Sequence, residues 1–295
     1  MISLLQSILP AILILVAYGA LSVFFKFYKY YRRGKRTPLT SQLLRSPGES
    51  LRNRIEEVSL DINSYTAFFL LFPSMVFIFE NESASTSTQM VIRLVFLAAL
   101  GLLMFKLWKT LNLRNNLRLA LDCEMAVGQE LNQLMLHGCH VYHDFPAEKF
   151  NIDHVVVSPK GVLAIETKGR AKPDKNGGTA EATVVYDGSV LKFPGWFEKE
   201  PLEQTKRQAK WMSSWLSSAT GEPVAVHPVL VLPGWFIQRD KPTDIVIFNG
   251  KNPEMLLKWI NGQKLSEAMI ERIAHQINQR CRDVEPLAYG EEKKN

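Results

Sequence analysis

The chain has 295 residues, a formal net charge of +6 and a pI near 9.1, so it can hold one ordinary domain and a further region. A basic chain favours anionic partners, either membrane lipid headgroups or nucleic acid. Its three cysteines, Cys123, Cys139 and Cys281, argue against a disulfide-stabilised secreted protein and fit a reducing compartment.

The first predicted element is an uncharged stretch, Ile2–Phe25, which is long enough for a helix across a hydrocarbon core of about 30 Å. A cleaved signal peptide would carry positive charge before its apolar run. Here the basic residues follow it, in a cluster from Lys26 to Arg36. Such a cluster stays in the cytoplasm, so the sequence predicts an uncleaved anchor with its N-terminus outside.

Two further apolar stretches follow, Ile62–Phe79 and Met90–Leu107, and the second contains Arg93 and Lys106 only near its ends. Such basic side chains can reach the headgroups. An alternative is that 62–107 forms a buried hairpin of a soluble domain, but the run Phe68–Phe72 has no polar face. We therefore predict a multi-pass protein of a bacterial inner membrane, with residues after 110 in the cytoplasm and spans near 3–25, 62–79 and 90–107.

The remainder has the patterns of a soluble domain at 111–250 and of C-terminal helices and a tail at 251–295. Two strand-like runs flank the turn Ser158–Gly161, and Asp187-Gly188 is a strong hairpin signal. Pro201 suits the first turn of a helix, while Pro146 indicates a break. The predicted helices are 119–136, 201–218, 253–261 and 265–281, and the predicted strands are 151–157, 162–168, 183–186, 189–193, 224–232 and 244–248.

The first predicted hairpin brings charged residues together. If Val157 pairs with Val162, the same antiparallel register places Asp153 directly opposite Glu166. Lys168 shares their face because side chains alternate along a strand. Opposed carboxylates destabilise a hairpin, and a bound divalent cation such as Mg²⁺ would resolve the conflict. The alternative is an ordinary surface hairpin with salt bridges.

A third acid accompanies these two. Val127, Leu131 and Leu134 define the apolar face of a helix, and Glu130 falls within that face. A carboxylate there is either buried and paired or directed at a site. Gly128 would let this helix lie close to the sheet.

Together these blocks resemble the nuclease-related domain (NERD) family of the PD-(D/E)XK, restriction-endonuclease-like superfamily. The resemblance covers roughly residues 124–240. It rests on Gly128-Gln129-Glu130, Asn151–Val157, Gly161-Val162 with Ile165–Lys168, Pro201–Gln204 and Val226–Pro233. It implies an α/β fold with a mixed sheet flanked by helices, here preceded by the membrane region. One departure is the polar insert after Gly169-Arg170, which affects the expected substrate contacts more than the metal site.

The resemblance also implies roles for individual residues. Asp153 and Glu166 would bind Mg²⁺ or Mn²⁺, and Lys168 would orient or activate water. Glu130 would be an accessory acid and Gln204 a site-facing helix residue. The implied reaction is phosphodiester hydrolysis, with DNA as the expected substrate and RNA as an alternative.

Three basic residues on the predicted helix 201–218, namely Lys206, Arg207 and Lys210, are candidates for contacts with the nucleic-acid backbone. A second hypothesis is a membrane-anchored nucleic-acid-binding or scaffold module with an inactive site. A third is a purely structural membrane protein. The chain contains no Walker-type phosphate loop, which argues against an ATPase motor in this chain.

Overall fold

A computed structural model describes residues 2–31, 38–79, 85–173, 182–241, 244–260 and 264–286, and the side chains of all these except 2–15, 29 and 72–79. Most of the predicted basic cluster, the greater part of the polar insert and the tail lie outside the described residues. Contacts divide the chain into two compact units. The first comprises Met1–Thr40, Ile55–Asn115 and Leu287–Asn295, and the second comprises Ser41–Arg54 and Asn116–Pro286.

The described elements are numbered along the chain. The helices are α1 (Ile2–Tyr31), α2 (Glu49–Phe79), α3 (Thr86–Asn132), α4 (Glu200–Thr220), α5 (Glu254–Trp259) and α6 (Glu267–Cys281). The strands are β1 (Leu43–Leu44), β2 (His140–Pro146), β3 (Asn151–Ser158), β4 (Gly161–Thr167), β5 (Thr183–Tyr186), β6 (Leu191–Phe193), β7 (Trp196–Glu198), β8 (Val226–Val231), β9 (Phe236–Arg239), β10 (Val246–Phe248) and β11 (Arg282–Val284).

Apolar helices characterise the first unit. Among the described residues, one helical stretch, Thr86–His137, is long and apolar enough to cross a membrane, and none of its most apolar window is buried. A shorter apolar stretch is Val16–Tyr28. The prediction of about three spans is therefore not confirmed, because only α3 meets the criterion with its described residues.

The second unit is built on a five-stranded mixed sheet in the order β10-β8-β4-β3-β2. Strands β2, β3 and β4 run antiparallel, while β8 is parallel to both β4 and β10. A four-stranded sheet, β7-β6-β5-β9, and a two-stranded sheet, β1-β11, complete the described strands. The predicted mixed α/β fold with helices beside the sheet is confirmed.

Both faces of the five-stranded sheet are covered. Met212 and Leu216 of α4 pack with Ile273 of α6 on one face. Leu131 of α3 and Leu256 of α5 pack on the other. Burial on both faces explains why β3 and β4 have nearly continuous apolar sequences instead of a strict alternation.

Strand β2 was not predicted from the sequence, which indicated only a break at Pro146. In the structure Pro146 is the last residue of β2 and pairs with Asn151. It is tolerated there because β2 is the edge strand, where the missing backbone donor breaks no ladder within the sheet. The short strands β1, β7, β9 and β11 were also not predicted.

Two buried histidines join β2 to β3. Nδ1 of His143 lies 2.9 Å from Nδ1 of His154, and Nε2 of His143 contacts Asn132 Oδ1 at 3.0 Å. His154 thus forms a buried polar pair with His143. Burial lowers the pKa of His143 to about 4, and burial and His143 lower the pKa of His154 well below its usual value.

The buried histidine pair predicts a loss of stability in acid. Because both histidines stay neutral in the folded chain, the unfolded chain binds more protons below pH 6.5. We expect the free energy of unfolding to fall by roughly 5 kcal/mol from the two histidines together between pH 6.5 and pH 4. The double variant His143→Leu/His154→Leu should lose this component in denaturant titrations, whereas exposed His275→Gln should retain it. An unchanged acid response in the double variant would contradict the assignment.

Candidate active site

A cleft of about 640 Å³ in the second unit lies near the start of β3 and the end of β4. It brings together four of the site residues predicted from the sequence, which are Asp153, Glu166, Lys168 and Gln204. Asp153 and Glu166 come from β3 and β4, Lys168 directly follows β4, and Gln204 comes from the first turns of α4. Lys168 and Gln204 are far apart in the sequence, and the packing of α4 against the sheet brings them together in the cleft.

The predicted register of the hairpin is confirmed. Val157 pairs with Val162, and the antiparallel ladder continues in this register to His154 and Ile165. One further step places Asp153 opposite Glu166. The Thr167 backbone N–H donates to Asp153 Oδ2 at 2.7 Å, so the Asp153 carboxylate is bound to the end of the neighbouring strand.

Negative charge accumulates around Asp153. Burial raises the pKa of the Asp153 carboxyl well above its usual value, and the carboxylates of Glu166 and Glu124 raise it further. The Thr167 N–H and Lys168 act in the opposite direction. The cleft is thus a place where added positive charge would be favourable.

The Glu166 carboxylate is held by three side chains. Gln204 Nε2 donates to Oε1 at 2.8 Å, Gln208 Nε2 donates to Oε2 at 2.6 Å, and Lys168 Nζ lies 2.5 Å from Oε1. Gln208 was missed by the sequence reasoning. Its signal was its position one helical turn after Gln204, which places both amides on the same face of α4.

The helical acid of the cleft is Glu124, not the predicted Glu130. Glu124 is buried and lines the cleft, and burial together with Asp144 and Glu166 raises its pKa to about 8. Glu130 is absent from the lining, and its Oε2 accepts a hydrogen bond from Gln133 at 3.0 Å. The apolar periodicity correctly identified the buried face of α3, which includes Val127. The acid that this helix contributes to the cleft is Glu124, three residues before Val127.

The predicted nucleic-acid contacts on α4 are exposed and partly engaged by acids. Lys206 lies 2.8 Å from Asp244, and Arg207 lies 2.6 Å from Glu200. Lys210 is exposed on the same helix. Such exposed ion pairs are weak, so contacts of these three cations with phosphates stay a prediction. None of the three lines the cleft as the structure describes it.

The donor set of the cleft fits a hard divalent cation. Asp153 and Glu166 offer carboxylate oxygens, which Mg²⁺ and Mn²⁺ prefer. The buried Thr167 hydroxyl at the cleft has no hydrogen-bond partner in the described part of the chain. Among the same residues, no group of three or more His, Cys, Asp or Glu side chains forms a ligand cluster. The protein would therefore supply two carboxylates, as Mg²⁺ sites commonly do.

Comparison with known proteins identifies this region. Residues 120–233 match the family model described as the nuclease-related domain (NERD). The matched stretch of the chain includes Glu124, Asp153, Glu166, Lys168 and Gln204. No curated protein and no solved structure matches the chain. The family predicted from the sequence motifs is therefore confirmed for this region, while the wider likeness to restriction endonucleases stays a prediction.

The raised pKa of Glu124 predicts that the folded chain loses stability between about pH 4.5 and about pH 8. The folded chain retains a proton that the unfolded chain releases, so the free energy of unfolding should fall as the pH rises from about 4.5 to about 8. In metal-free buffer, Glu124→Gln should remove a loss on the order of 3 kcal/mol over this interval. Glu130→Gln on the same helix is the matched control, and denaturant titration is the measurement. Equal pH responses for Glu124→Gln and wild type would refute the charge arrangement.

Proposed function

We propose that this chain, whose residues 120–233 match the family model of the nuclease-related domain, is a membrane-anchored, metal-dependent nuclease that hydrolyses phosphodiester bonds in DNA. The observation that carries the proposal is the convergence of Asp153, Glu166 and Lys168 in one cleft. Two acids and a lysine with these contacts suit the stabilisation of charge on a phosphate during hydrolysis.

In this proposal Asp153 and Glu166 would hold the cation, Mg²⁺ or Mn²⁺, through their carboxylate oxygens. When bound, the cation supplies positive charge that polarises a phosphodiester oxygen and makes an attacking water more acidic. Gln204 and Gln208 orient the Glu166 carboxylate through two short hydrogen bonds. Their amides carry no charge, so they fix the carboxylate without neutralising it.

Lys168 has two tasks in the proposed mechanism. Its backbone N–H donates to the Val231 carbonyl oxygen at 2.9 Å, which fixes the chain directly after β4. Its ammonium group, 2.5 Å from Glu166 Oε1, is partly exposed in the cleft and can add positive charge where a phosphate gathers negative charge. The same group can position a water through its three N–H donors.

Membrane attachment is the second part of the proposal. Leu97, Leu102 and Phe105 of α3 are each more than half exposed, and an apolar helix with such a surface needs a lipid or protein environment. We assign residues 90–107 to one span and retain 3–25 and 62–79 as further spans. Tethering would hold the nuclease-related domain near DNA at the membrane and raise its effective concentration there.

Cleavage of supercoiled plasmid by the purified full chain in detergent tests the catalytic assignment. With Mg²⁺ or Mn²⁺, wild type should cleave, and Asp153→Asn and Lys168→Ala should each lower the rate by about 100-fold. Glu130→Gln should retain the rate because its carboxylate lies outside the cleft. Metal-dependent cleavage that survives both site variants would defeat the assignment. Plasmid binding by wild type without cleavage would favour the inactive binding module.

Cysteine labelling of intact cells tests the proposed topology. Ser85→Cys precedes α3 and should react with a membrane-impermeant maleimide from outside. Ser189→Cys, in the nuclease-related domain, should react only after lysis. The wild-type chain with its three cysteines sets the background in both conditions. Labelling of Ser189→Cys in intact cells, or of neither site, would exclude the proposed orientation.

A further inference from the structure

A segment outside the nuclease-related match forms part of the cleft. Residues 41–54, here called the 41–54 segment, belong to the same compact unit as the nuclease-related domain. Within the segment, β1 pairs with β11, and the Arg45 N–H donates to the Cys281 carbonyl oxygen at 2.9 Å. Ser50 of this segment lines the cleft. The 41–54 segment is thus placed to act on the candidate site.

Arg45 forms the central contact of this segment. Its Nη1 lies 2.8 Å from Asp144 Oδ2, while Nε and Nη2 donate to the two carboxylate oxygens of Asp283 at 2.7 and 2.8 Å. The two acids hold the guanidinium in one orientation, since its planar group matches the Asp283 carboxylate in a bidentate pair. Arg45 therefore presents a fixed positive charge to Asp144.

Asp144 is fully engaged by donors. Its Oδ2 accepts from Arg45 and from the Ser50 N–H at 2.9 Å, and its Oδ1 accepts from Ser50 Oγ at 2.6 Å and Asn151 Nδ2 at 3.2 Å. The side chain is almost completely buried. Its backbone is left-handed, with φ of 47°, a conformation that aspartate adopts more readily than most residues. This conformation interrupts the alternation of side chains along β2.

Asp144 lies close to the candidate metal ligands because of its position in the sheet. His143 pairs with His154 and Phe145 pairs with Ile152, so Asp144 falls opposite Asp153 on the neighbouring strand. Asn151, whose amide donates to Asp144, lines the cleft together with Asp153, and the charge of Asp144 helps to raise the pKa of Glu124 in the same cleft. An unengaged Asp144 carboxylate would thus be a third acid beside Asp153 and Glu166.

We propose that Arg45 is a positioning residue that keeps Asp144 out of the ligand set, so that only Asp153 and Glu166 bind the cation. This inference rests on the proposed metal-dependent function. The close packing of the segment supports it, because a Cβ atom on Gly128 would lie 2.6 Å from Pro47 Cγ. Gly128 therefore makes room for the 41–54 segment, and α3 and the segment are matched to each other.

Binding of Mn²⁺ to the full chain in detergent, measured by calorimetry, tests this role without requiring cleavage. Asp144→Asn should bind Mn²⁺ within about twofold of wild type, because Asp144 is not a ligand. Arg45→Ala removes the cationic partner of Asp144 while Ser50 and Asn151 still contact it, and this variant should bind Mn²⁺ about tenfold more tightly, since affinity rises with the uncompensated negative charge at the site. The double variant Arg45→Ala/Asp144→Asn should return to within about twofold of wild type.

Arg52→Ala is the matched control, because Arg52 lies in the same segment and contacts Ser46 and Glu49 within it. It should leave Mn²⁺ affinity unchanged. A tenfold loss of affinity in Asp144→Asn would make Asp144 a ligand and overturn the inference, as would unchanged affinity in Arg45→Ala. A merely structural role for Arg45 predicts weaker binding in that variant and is likewise contrary to the proposal. If Arg45→Ala does not fold, Arg45→Gln, which removes the charge and retains part of the side chain, takes its place with the same expected and contrary results.

Plasmid cleavage measured in parallel separates the two proposals. Wild type that cleaves plasmid, together with an Arg45→Ala variant of unchanged Mn²⁺ affinity, would retain the nuclease and reject the role of Arg45. If wild type binds Mn²⁺ but does not cleave plasmid, the proposed nuclease activity is rejected. The Mn²⁺ affinities of the variants would still test the proposed role of Arg45. Wild type that takes up no Mn²⁺ would reject both.

Discussion

The burial of several carboxylates around few cations is the constraint on which the candidate site depends. Glu124, Asp153 and Glu166 share one cleft with Lys168, and the mutual repulsion of the acids adds to the effect of burial. A fold tolerates such an arrangement when other interactions hold the groups in place. Here the extensive apolar packing on both faces of the five-stranded sheet provides that support.

The acids differ in how they are held, and this difference suggests a division of tasks. Asp144 accepts hydrogen bonds from Arg45 and Ser50. Glu166 accepts hydrogen bonds from the amides of Gln204 and Gln208 and contacts Lys168. Each of the two carboxylates has a cationic partner, Lys168 for Glu166 and Arg45 for Asp144, but Glu166 lines the cleft and Asp144 does not. Glu166 is therefore suited to bind a cation, and Asp144 to join the 41–54 segment to the sheet.

The site also depends on close approach between elements that are distant in sequence. At Gly169, directly after Lys168, a Cβ atom would lie 2.9 Å from Cys123 Sγ and 3.2 Å from the Leu119 carbonyl oxygen. The absence of a side chain there lets the chain after β4 pass close to α3. The same helix then contributes Glu124 to the cleft, so the position of one acid depends on the size of a residue in another element.

Local rules in the sequence determined much of the fold and half of the candidate site. The turn at Ser158–Gly161 sets the register of β3 and β4, and this register alone places Asp153 opposite Glu166. Local patterns also predicted a helix over residues 90–107 and another that begins near Pro201. In each case the deciding interactions join residues that are near one another in the chain.

Only the tertiary structure decided the remaining partners. The choice of Glu124 over Glu130 depends on the rotation of α3 against the sheet, and the position of Gln208 depends on how α4 packs. The contact between Arg45 and Asp144 joins segments far apart in the chain, and neither residue has a local pattern that indicates the other. Such contacts arise when separate elements pack together, because the side chains that meet are selected by the relative placement of whole elements.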